Sequence, residues 1–238
     1  MRTSSHRSAP PPAIIAHRGW SEIAPENSHA AFAAALTTPC AGIELDLRMT
    51  LDGVVVACHD ANLSRFGGSR VPLSQRWAAD VGLPTLAEIL ERYAPERQLL
   101  LELKPHGGPQ HAARLIAQVC HQVRRWRERV FILCFSSAAL RSAATFDPRL
   151  RLIRNCERLS DDPRWYAAQS WCWGLDAWHR EWTAERVAAA RAAGLVPAAY
   201  TVDRVPGLRR CCRLGLDLVI TNRPGWAHAQ LAAPAGTR

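Results

Sequence analysis

The feature that most constrains the fold is a regular alternation of short strand-like segments with longer helical segments. Short β-branched or apolar runs are separated by Ala-, Arg- and Leu-rich stretches of helical periodicity, a pattern typical of parallel sheets built from β-α-β units. The predicted strands are Ala13–Ala16, Gly42–Leu47, Leu99–Leu103, Val130–Phe135, Leu150–Arg154, Cys172–Ala177, Val196–Thr201 and Asp217–Thr221. The predicted helices include Asn27–Leu36, Leu86–Tyr93, Gln110–Arg125, Ser137–Ala144, Asp162–Ser170, Ala184–Ala193 and Arg204–Leu214.

The chain length indicates how these strands are arranged. The chain has 238 residues, close to the roughly 250 of a single (β/α)8 barrel. Eight strands in one domain of this size close most economically into such a barrel, and a doubly wound open sheet is the alternative. We expect a barrel domain over 13–230, a flexible lead over 1–12 without the apolar core of a signal peptide, and a flexible tail over 231–238. No apolar run approaches the roughly 18 residues of a membrane-spanning helix, so we expect no stable membrane anchoring.

A β-hairpin is predicted directly after the second strand. Asp-Gly at 52–53 separates two β-type runs, and this dipeptide is a strong signal for a two-residue hairpin turn. If Leu51 pairs with Val54, the antiparallel register places Asp46 opposite His59, on the same side of the ribbon.

Charged or titratable side chains gather at the ends of the first three predicted barrel strands. His17 follows the first strand, Glu44 and Asp46 end the second, and Glu102 and Lys104 end the third. The i, i+2 spacing within each pair puts both side chains on one face of a strand. Because active sites of parallel barrels lie at the C-terminal ends of the strands, we expect these groups to meet at the barrel mouth.

Three carboxylates at one rim would repel one another unless a cation lay between them. Oxygen ligands favour Mg²⁺ or Ca²⁺, with Mn²⁺ as a further candidate, whereas zinc usually recruits His or Cys. Buried salt bridges that only brace the barrel are the alternative, but desolvation makes such pairs poor stabilisers. His17 and His59 differ from the other seven histidines in ending apolar strands beside the carboxylates, where imidazoles can act as acid and base near neutral pH.

The charge balance favours an anionic small molecule over nucleic acid as a partner. The net charge is +9, and the 30 basic residues comprise 29 arginines and a single lysine, Lys104. The arginines are spread along the chain without a nucleic-acid-binding motif, so we expect no nucleic-acid partner. A lysine is a compact point charge where arginine is a planar fork, so a site that needs the former would keep Lys104.

The eight cysteines predict a reducing compartment. They are scattered, none forms a C-x-x-C pair, and several lie inside apolar runs. Free buried thiols in a cytoplasmic protein explain this distribution better than a disulfide framework.

Together the motifs resemble those of the glycerophosphodiester phosphodiesterases, within the phospholipase-C-like phosphodiesterase superfamily of (β/α)8 barrels. They occur in the family's order and span residues 14 to 224. The matching pieces are His17-Arg18-Gly19, Pro25-Glu26-Asn27, Glu44-x-Asp46, Asp52-Gly53, His59-Asp60, Pro84-Thr85-Leu86, Glu102-x-Lys104-Pro105, Phe135-Ser136, Tyr200-Thr201-Val202 and Asp217-Leu218-Val219-Ile220-Thr221-Asn222-x-Pro224.

The resemblance implies a role for each group and a reaction that releases sn-glycerol 3-phosphate and an alcohol. A divalent metal ion would bind phosphate, with water or the neighbouring glycerol hydroxyl as nucleophile. The implied roles are metal ligands at Glu44, Asp46 and Glu102, an acid/base pair at His17 and His59, phosphate contact by Arg18, charge neutralisation by Lys104, an aromatic wall at Tyr200, and an additional ligand or a residue behind the ligands at Glu26.

The chain departs from the family pattern where the leaving group is expected. The excursion over 61–82 is short at 22 residues, and Leu63–Phe66 lacks the usual threonine. Ser28 replaces the more frequent threonine, and Tyr200 stands where tryptophan is common. The preferred alcohol therefore stays open. The alternatives are a lysophospholipase-D-type activity, with some of the nine tryptophans contacting an acyl chain, and a barrel that binds anions or nucleic acid without catalysis.

Overall fold

A computed structural model describes residues 10–233. Eight parallel strands form a closed sheet in the order β1-β9-β8-β7-β6-β5-β4-β2, with β2 returning to β1, and a short antiparallel β3 pairs with β2 outside the barrel. The strands are β1 Ala13–His17, β2 Gly42–Met49, β3 Val55–Ala57, β4 Gln98–Leu103, β5 Val130–Cys134, β6 Arg151–Cys156, β7 Gly174–Trp178, β8 Val196–Tyr200 and β9 Leu218–Thr221.

Helices follow the barrel strands and cover the outside of the sheet. They are α1 His29–Leu36, α2 Leu86–Tyr93, α3 Pro109–Gln122, α4 Ser137–Phe146, α5 Pro163–Ala167, α6 Ala184–Ala192, α7 Val205–Leu214 and α8 Pro224–Ala232. The pairing of β1 with β2 closes the sheet, so the predicted (β/α)8 barrel is confirmed and the open doubly wound sheet is wrong. Within residues 10–233, no helix is both long and apolar enough to cross a bilayer.

All eight predicted barrel strands are present, and the shifts at element ends have local causes. Helix α1 begins two residues later than predicted because Ser28 caps it, accepting a hydrogen bond from the Ala31 amide. Helix α3 ends at Gln122 and continues as a 3-10 turn over Val123–Trp126. Helix α8 runs to Ala232, past the predicted start of the C-terminal tail. Of the predicted lead and tail, 1–9 and 234–238 lie outside the described residues.

The predicted hairpin forms, but its register differs by one residue from the prediction. The Thr50 amide donates to the Val54 carbonyl (3.0 Å) and the Gly53 amide donates back to the Thr50 carbonyl (3.1 Å). Gly53 adopts a left-handed φ of 87°, so the loop has three residues rather than two. Cys58 therefore lies opposite Asp46, where its amide donates to the Asp46 carbonyl (2.9 Å), and the predicted pairing of Asp46 with His59 is wrong.

His59 reaches the barrel mouth because the chain leaves the ladder after β3. Strand β3 ends at Ala57, and the Arg48 guanidinium donates to the His59 carbonyl through Nε (2.8 Å) and Nη2 (2.6 Å). The excursion over 61–82 then packs back on the hairpin, with Leu73 in a buried cluster beside Val56 and Cys58.

A separate apolar cluster lies beneath the barrel mouth. Leu100, Phe131, Leu133, Ile153 and Ile220 belong to a buried cluster separate from the larger clusters that include the helices. Leu133 and Ile220 also line a cavity at the C-terminal ends of the strands, so this cluster forms the cavity floor. No disulfide joins any of the eight cysteines to another, as predicted.

Candidate active site

The cavity above this floor has a volume of about 250 Å³ and collects most of the predicted site residues. Its wall includes seven of the nine, which are His17, Arg18, Glu44, His59, Glu102, Lys104 and Tyr200. Of the remaining two, Asp46 lies buried directly beside Glu102 in the β2–β4 register, and Glu26 lies behind Arg18.

Three buried carboxylates come together through strand register alone. Glu44 pairs with His17 across β1 and β2, and Asp46 pairs with Glu102 across β2 and β4. Each of the three can direct one oxygen so that the three atoms lie within 4.8 Å of one another. Their exposed fractions are 2% for Glu44, 0% for Asp46 and 8% for Glu102.

This crowding changes the protonation of the three groups. Burial, together with repulsion from Asp46 and Glu102, raises the pKa of Glu44 well above its usual range. Burial also raises the pKa of Glu102. Burial opposes ionisation of Asp46, but Arg18 and Lys104 outweigh it and lower the pKa of this carboxyl.

Arg18 occupies a bent backbone position that directs several donors at the site. Its φ is 56°, and its amide donates to Glu44 Oε2 (3.1 Å). Its Nε lies 3.0 Å from Asp46 Oδ2, and its Nη1 donates to Glu26 Oε1 (2.9 Å). Glu26 also pairs with Arg65. Glu26 is thus placed behind Arg18 rather than among the three clustered carboxylates.

Gly19 allows the backbone to bend after Arg18, because a side chain at this position would collide with helix α1. Its φ is 81°, and an added Cβ would lie 2.6 Å from the Ala31 carbonyl carbon. The close approach of helix α1 to the end of β1 thus depends on this glycine.

Lys104 bridges two of the carboxylates. Its Nζ lies 2.6 Å from Glu102 Oε1 and 3.2 Å from Asp46 Oδ1. The ammonium also lies 5.9 Å from the centre of the Phe135 ring. The single lysine of the chain is therefore in contact with the acidic cluster, as its retention among 29 arginines suggested.

The His17 imidazole is oriented by a chain of hydrogen bonds. Its Nδ1 lies 2.7 Å from Asn222 Oδ1, and Asn222 Nδ2 donates to Asp203 Oδ2 (2.6 Å). Because the amide nitrogen of Asn222 is committed to a carboxylate, its oxygen accepts from His17, which places the imidazole proton on Nδ1. Nε2, 3.8 Å from Glu44 Oε2, is then the free nitrogen. Burial, with a smaller effect of Arg18, lowers the pKa of His17, so the ring is neutral near pH 7.

The His59 imidazole is held by a carboxylate instead. Its Nδ1 lies 2.7 Å from Asp60 Oδ1, and Asp60 Oδ2 lies 2.7 Å from the Arg65 Nε. Burial opposes ionisation of Asp60, but the hydrogen bond from His59 and the charge of Arg65 outweigh burial and lower the pKa of this carboxyl. His59 therefore offers Nε2 to the cavity, with an anion behind Nδ1.

Comparison with known proteins identifies the family. A sequence model of the glycerophosphoryl diester phosphodiesterase family matches residues 17–226. The chain belongs to this family. That confirms the resemblance drawn from the motifs and the classification of the chain as a phosphodiesterase.

Full-length relatives and solved structures agree with this assignment. A glycerophosphodiester phosphodiesterase of Caldanaerobacter subterraneus subsp. tengcongensis is 27% identical over 89% of this chain and 94% of the relative. A solved phosphodiesterase of Oleispira antarctica, in complex with the product sn-glycerol-3-phosphate, is 25% identical, with a TM-score of 0.85 over 93% of this chain and 97% of that one. A glycerophosphodiester phosphodiesterase of Agrobacterium tumefaciens shares the fold, with a TM-score of 0.79 at 23% identity over 92% and 99% of the two chains.

The acidic cluster has the chemistry of a divalent-cation site. Among the described residues, two cationic side chains, Arg18 and Lys104, form ion pairs with carboxylates of the cluster, so the three ionised carboxylates and these two cations carry one net negative charge. Burial, and then repulsion from Asp46 and Glu102, raises the pKa of Glu44, so a further cation at the cluster would favour its ionised form. An all-oxygen ligand set fits Mg²⁺ or Ca²⁺. The residues present therefore fit a resident metal ion.

Several side chains at the site were not singled out from the sequence. Asn155 and Asp176 are buried neighbours on β6 and β7 that line the cavity, and each has a buried Oδ1 without a hydrogen-bond partner. The available signal was strongest for Asp176, a carboxyl in the otherwise apolar strand β7, whereas Asn155 lies in β6 beside Arg154 and is less distinctive. Asn222 lies in a recognised motif, but its contact with His17 spans 205 positions in the chain and requires the closed barrel.

Proposed function

We propose that this chain hydrolyses glycerophosphodiesters in a metal-dependent reaction, yielding sn-glycerol 3-phosphate and an alcohol. The observation that carries the proposal is the meeting of three carboxylates, two imidazoles and two cations in one cavity of a family barrel. The product complex of the Oleispira antarctica relative supports a small phosphodiester as substrate.

Glu44, Asp46 and Glu102 would hold the metal ion, which we propose to be Mg²⁺ or Ca²⁺, with Mn²⁺ as a further candidate. When bound, the ion would supply a positive charge that binds the phosphate and reduces its repulsion toward a nucleophile. Glu26 would position Arg18 through their ion pair rather than bind the metal ion.

Arg18 and Lys104 would neutralise the phosphate as charge develops on it. Both line the cavity and both already contact the acidic cluster. A divalent ion added to the ionised cluster changes its net charge from one negative to one positive, which matches the single negative charge of a phosphodiester. Preorganised donors of this kind stabilise a transition state because they need no reorganisation during the reaction.

His17 and His59 would serve as the acid/base pair. One imidazole would accept the proton of the nucleophile, and the other would give a proton to the departing alcohol oxygen. A new P–O bond forms as the P–O bond to the alcohol breaks. The Nδ1 contacts with Asn222 and Asp60 fix both rings with Nε2 available, which is the requirement for either role.

The glyceryl half of the substrate would bind deep in the cavity against its far wall, at buried positions below the strand-end residue Thr201. Asn155 and Asp176 each present an unpartnered buried oxygen there, and Tyr200 adds an aromatic wall. Burial raises the pKa of Asp176 well above its usual range, which favours the protonated carboxyl, and a protonated carboxyl can both donate and accept. Such a pair suits the hydroxyl groups of a glyceryl unit.

We further infer that residues 13–230 act as one catalytic domain in a reducing, cytoplasmic setting. Strands β1 and β9 pair in a single closed sheet, and no disulfide joins any of the eight cysteines to another. We propose a small-molecule partner and neither nucleic acid nor a membrane anchor.

Product identification tests this function. The protein with Mg²⁺ or Ca²⁺ is incubated with glycerophosphocholine, glycerophosphoglycerol and lysophosphatidylcholine, and the phosphorus products are separated by ³¹P NMR. Release of sn-glycerol 3-phosphate from the two water-soluble diesters supports the proposal. Release of phosphocholine with glycerol would show cleavage of the other P–O bond, and faster turnover of the lysolipid would replace the proposed substrate class.

A further inference from the structure

A second and larger groove lies beside the catalytic cavity at the same end of the barrel. It has a volume of about 740 Å³ and is built from the chain that follows β7 and β8. Thr201 lines both the groove and the catalytic cavity, so the two are neighbours across one residue. The His179 amide donates to the Tyr200 carbonyl (3.0 Å), which holds the two contributing segments together.

The groove is strongly cationic. Arg180, Arg204 and Arg210 line it, and Asp203 is the one acidic residue among its lining. Within residues 10–233 no salt bridge joins these three arginines to a carboxylate, although arginines elsewhere form many. None of the three arginines is therefore neutralised by a direct ion pair among the described residues.

Asp203 offsets part of this charge, but hydrogen bonds to the neighbouring chain occupy both of its oxygens. Oδ1 accepts hydrogen bonds from the Thr221 hydroxyl (2.9 Å) and the Asn222 amide (2.8 Å). Oδ2 accepts from Asn222 Nδ2 (2.6 Å). The carboxylate belongs to the hydrogen-bond network behind His17, and three arginines against this one carboxylate leave the groove with a net positive charge.

Two further features favour an anion in the groove. Helix α7, ten residues long, begins at the groove with no acidic residue in its first turn and no side-chain cap, so the positive end of its dipole is unopposed. The His179 ring packs near Gly207 of this helix, and its Nδ1 is buried without a hydrogen-bond partner. Burial, assisted by Arg180 and Arg210, lowers the pKa of His179, so the positive field of the groove reaches this ring.

We propose that this groove binds a second anionic group, a phosphate monoester, carried by the alcohol half of the substrate. The inference rests on the proposed function, because it assumes that the diester phosphate lies in the adjoining cavity. The acidic cluster lies on β2 and β4, whereas β7 and β8 lie on the opposite side of the barrel. A substrate whose diester phosphate contacts the cluster and whose alcohol half passes Thr201 would place a terminal phosphate among the three arginines. Substrates with a cationic alcohol such as choline would meet repulsion in the same groove.

A matched pair of substrates tests this inference. The first is glycerophosphoglycerol, and the second is the same diester with a phosphate monoester on the terminal hydroxyl of the leaving glycerol. We expect the wild-type protein to show a KM at least about tenfold lower for the phosphorylated diester, since a charge-assisted contact is worth about that factor. Arg180→Gln and Arg204→Gln should each remove most of this preference and leave kcat/KM for glycerophosphoglycerol within about twofold.

Arg209→Gln is the matched control. Arg209 is an exposed arginine on helix α7 that does not line the groove. The Arg209→Gln substitution removes the same charge as the two groove variants and should leave the preference for the phosphorylated diester intact. Equal KM values for the two diesters in the wild type, or equal effects of all three variants, would overturn the assignment of the groove. In either case, turnover of glycerophosphoglycerol would leave the proposed function standing.

The reverse failure is also distinguishable. If neither diester is turned over, the proposed function fails, and the groove is judged by calorimetric binding of glycerol 1-phosphate to the wild type and the Arg204→Gln variant. Weaker binding in the variant than in Arg209→Gln supports an anion site. Binding of phosphatidylglycerol vesicles that is lost in Arg204→Gln, with no change in binding of the small phosphate, would assign the groove to a membrane surface and overturn the inference.

Discussion

At the scale of single residues, the site depends on the shape of its cations as well as on their charge. Lys104 reaches Glu102 and Asp46 with one ammonium (2.6 and 3.2 Å) above the Phe135 ring. A guanidinium is planar and larger, so it cannot occupy this position without displacing a carboxylate. We predict that Lys104→Arg lowers kcat on glycerophosphoglycerol by at least about tenfold.

The control for Lys104→Arg is the opposite substitution, arginine to lysine, at the exposed position Arg125. Arg125 pairs with Glu91 at 2.8 Å, and both side chains are more than half exposed. Arg125→Lys should leave kcat unchanged within error, since exposed pairs contribute little. Full activity in Lys104→Arg would show that Lys104 provides only charge at a distance.

Asn222 is predicted to act through His17. Its oxygen accepts from His17 Nδ1 while its amide group is fixed by Asp203. Asn222→Ala should lower kcat by roughly tenfold to a hundredfold, with a smaller change in KM, because the ring loses the contact that sets its proton position. The pH–rate profile should shift as well, which a purely structural role would not produce.

Ser21→Ala provides the comparison for Asn222. The Ser21 hydroxyl also lies within hydrogen-bond distance of Asn222 Oδ1 (2.8 Å). Its contact with His17 is to the backbone carbonyl (2.9 Å) and not to the imidazole. We expect a change in kcat of less than about threefold. A loss in Ser21→Ala as large as that in Asn222→Ala would contradict the specific role of the His17–Asn222 contact.

At the scale of elements, the β2–β3 hairpin sets the position of His59. Substitutions at Gly53 test the observed conformation of its loop. Gly53 has a φ of 87°, and a Cβ added to it would lie 3.0 Å from Arg114 Nη2. Gly53→Ala should lower the free energy of unfolding by about 1–2 kcal/mol, because alanine avoids the left-handed region. Asparagine tolerates that region better, so Gly53→Asn should lose less, as measured by urea denaturation. Equal loss in both variants would argue against the left-handed conformation of Gly53.

The elements also show what a sequence can and cannot predict. Strand positions followed from apolar runs that the parallel barrel buries on both faces, and strand ends identified His17, Glu44, Asp46, Glu102 and Lys104. The hairpin register was wrong because Asp-Gly fits both a two-residue turn and a three-residue loop with glycine in the left-handed position. That choice depends on backbone geometry, which residue type alone does not determine.

Long-range contacts formed the second class of feature that sequence reasoning missed. The Asn222–His17 contact, the Arg65–Glu26 ion pair and the neighbouring Asn155 and Asp176 on the cavity wall all join separate β–α units. Each requires the angular position of a strand around the closed barrel. Periodicity defines the inward face of a strand, but the partner across the mouth depends on the stagger of the sheet.

At the scale of the whole molecule, metal binding should be coupled to stability. Burial, and then repulsion from the neighbouring carboxylates, raises the pKa of Glu44 and Glu102 in the acidic cluster. A divalent ion that binds the folded chain and not the unfolded chain stabilises it by about 2.7 kcal/mol at a hundredfold excess over Kd. We predict that Ca²⁺ or Mg²⁺ raises Tm by several degrees in differential scanning calorimetry.

Glu44→Gln separates this effect from nonspecific ion binding. The amide keeps the shape of the side chain and removes a ligand charge, so the metal-dependent rise in Tm should disappear. Glu91→Gln, at an exposed helix position, should retain it. A rise in Tm that persists unchanged in Glu44→Gln would contradict a metal site at the acidic cluster.

The central claim is that one cavity combines a metal site with a His17/His59 pair to cleave glycerophosphodiesters. The most direct measurement is kcat/KM on glycerophosphoglycerol for the wild type, His17→Ala and Glu44→Gln, after EDTA treatment and after addition of Mg²⁺, Ca²⁺ or Mn²⁺. We predict that activity is lost in EDTA, returns with at least one metal ion, and falls by roughly 10²–10⁴ in His17→Ala and in Glu44→Gln. Equal turnover in EDTA, or undiminished turnover in either variant with metal present, would contradict the claim.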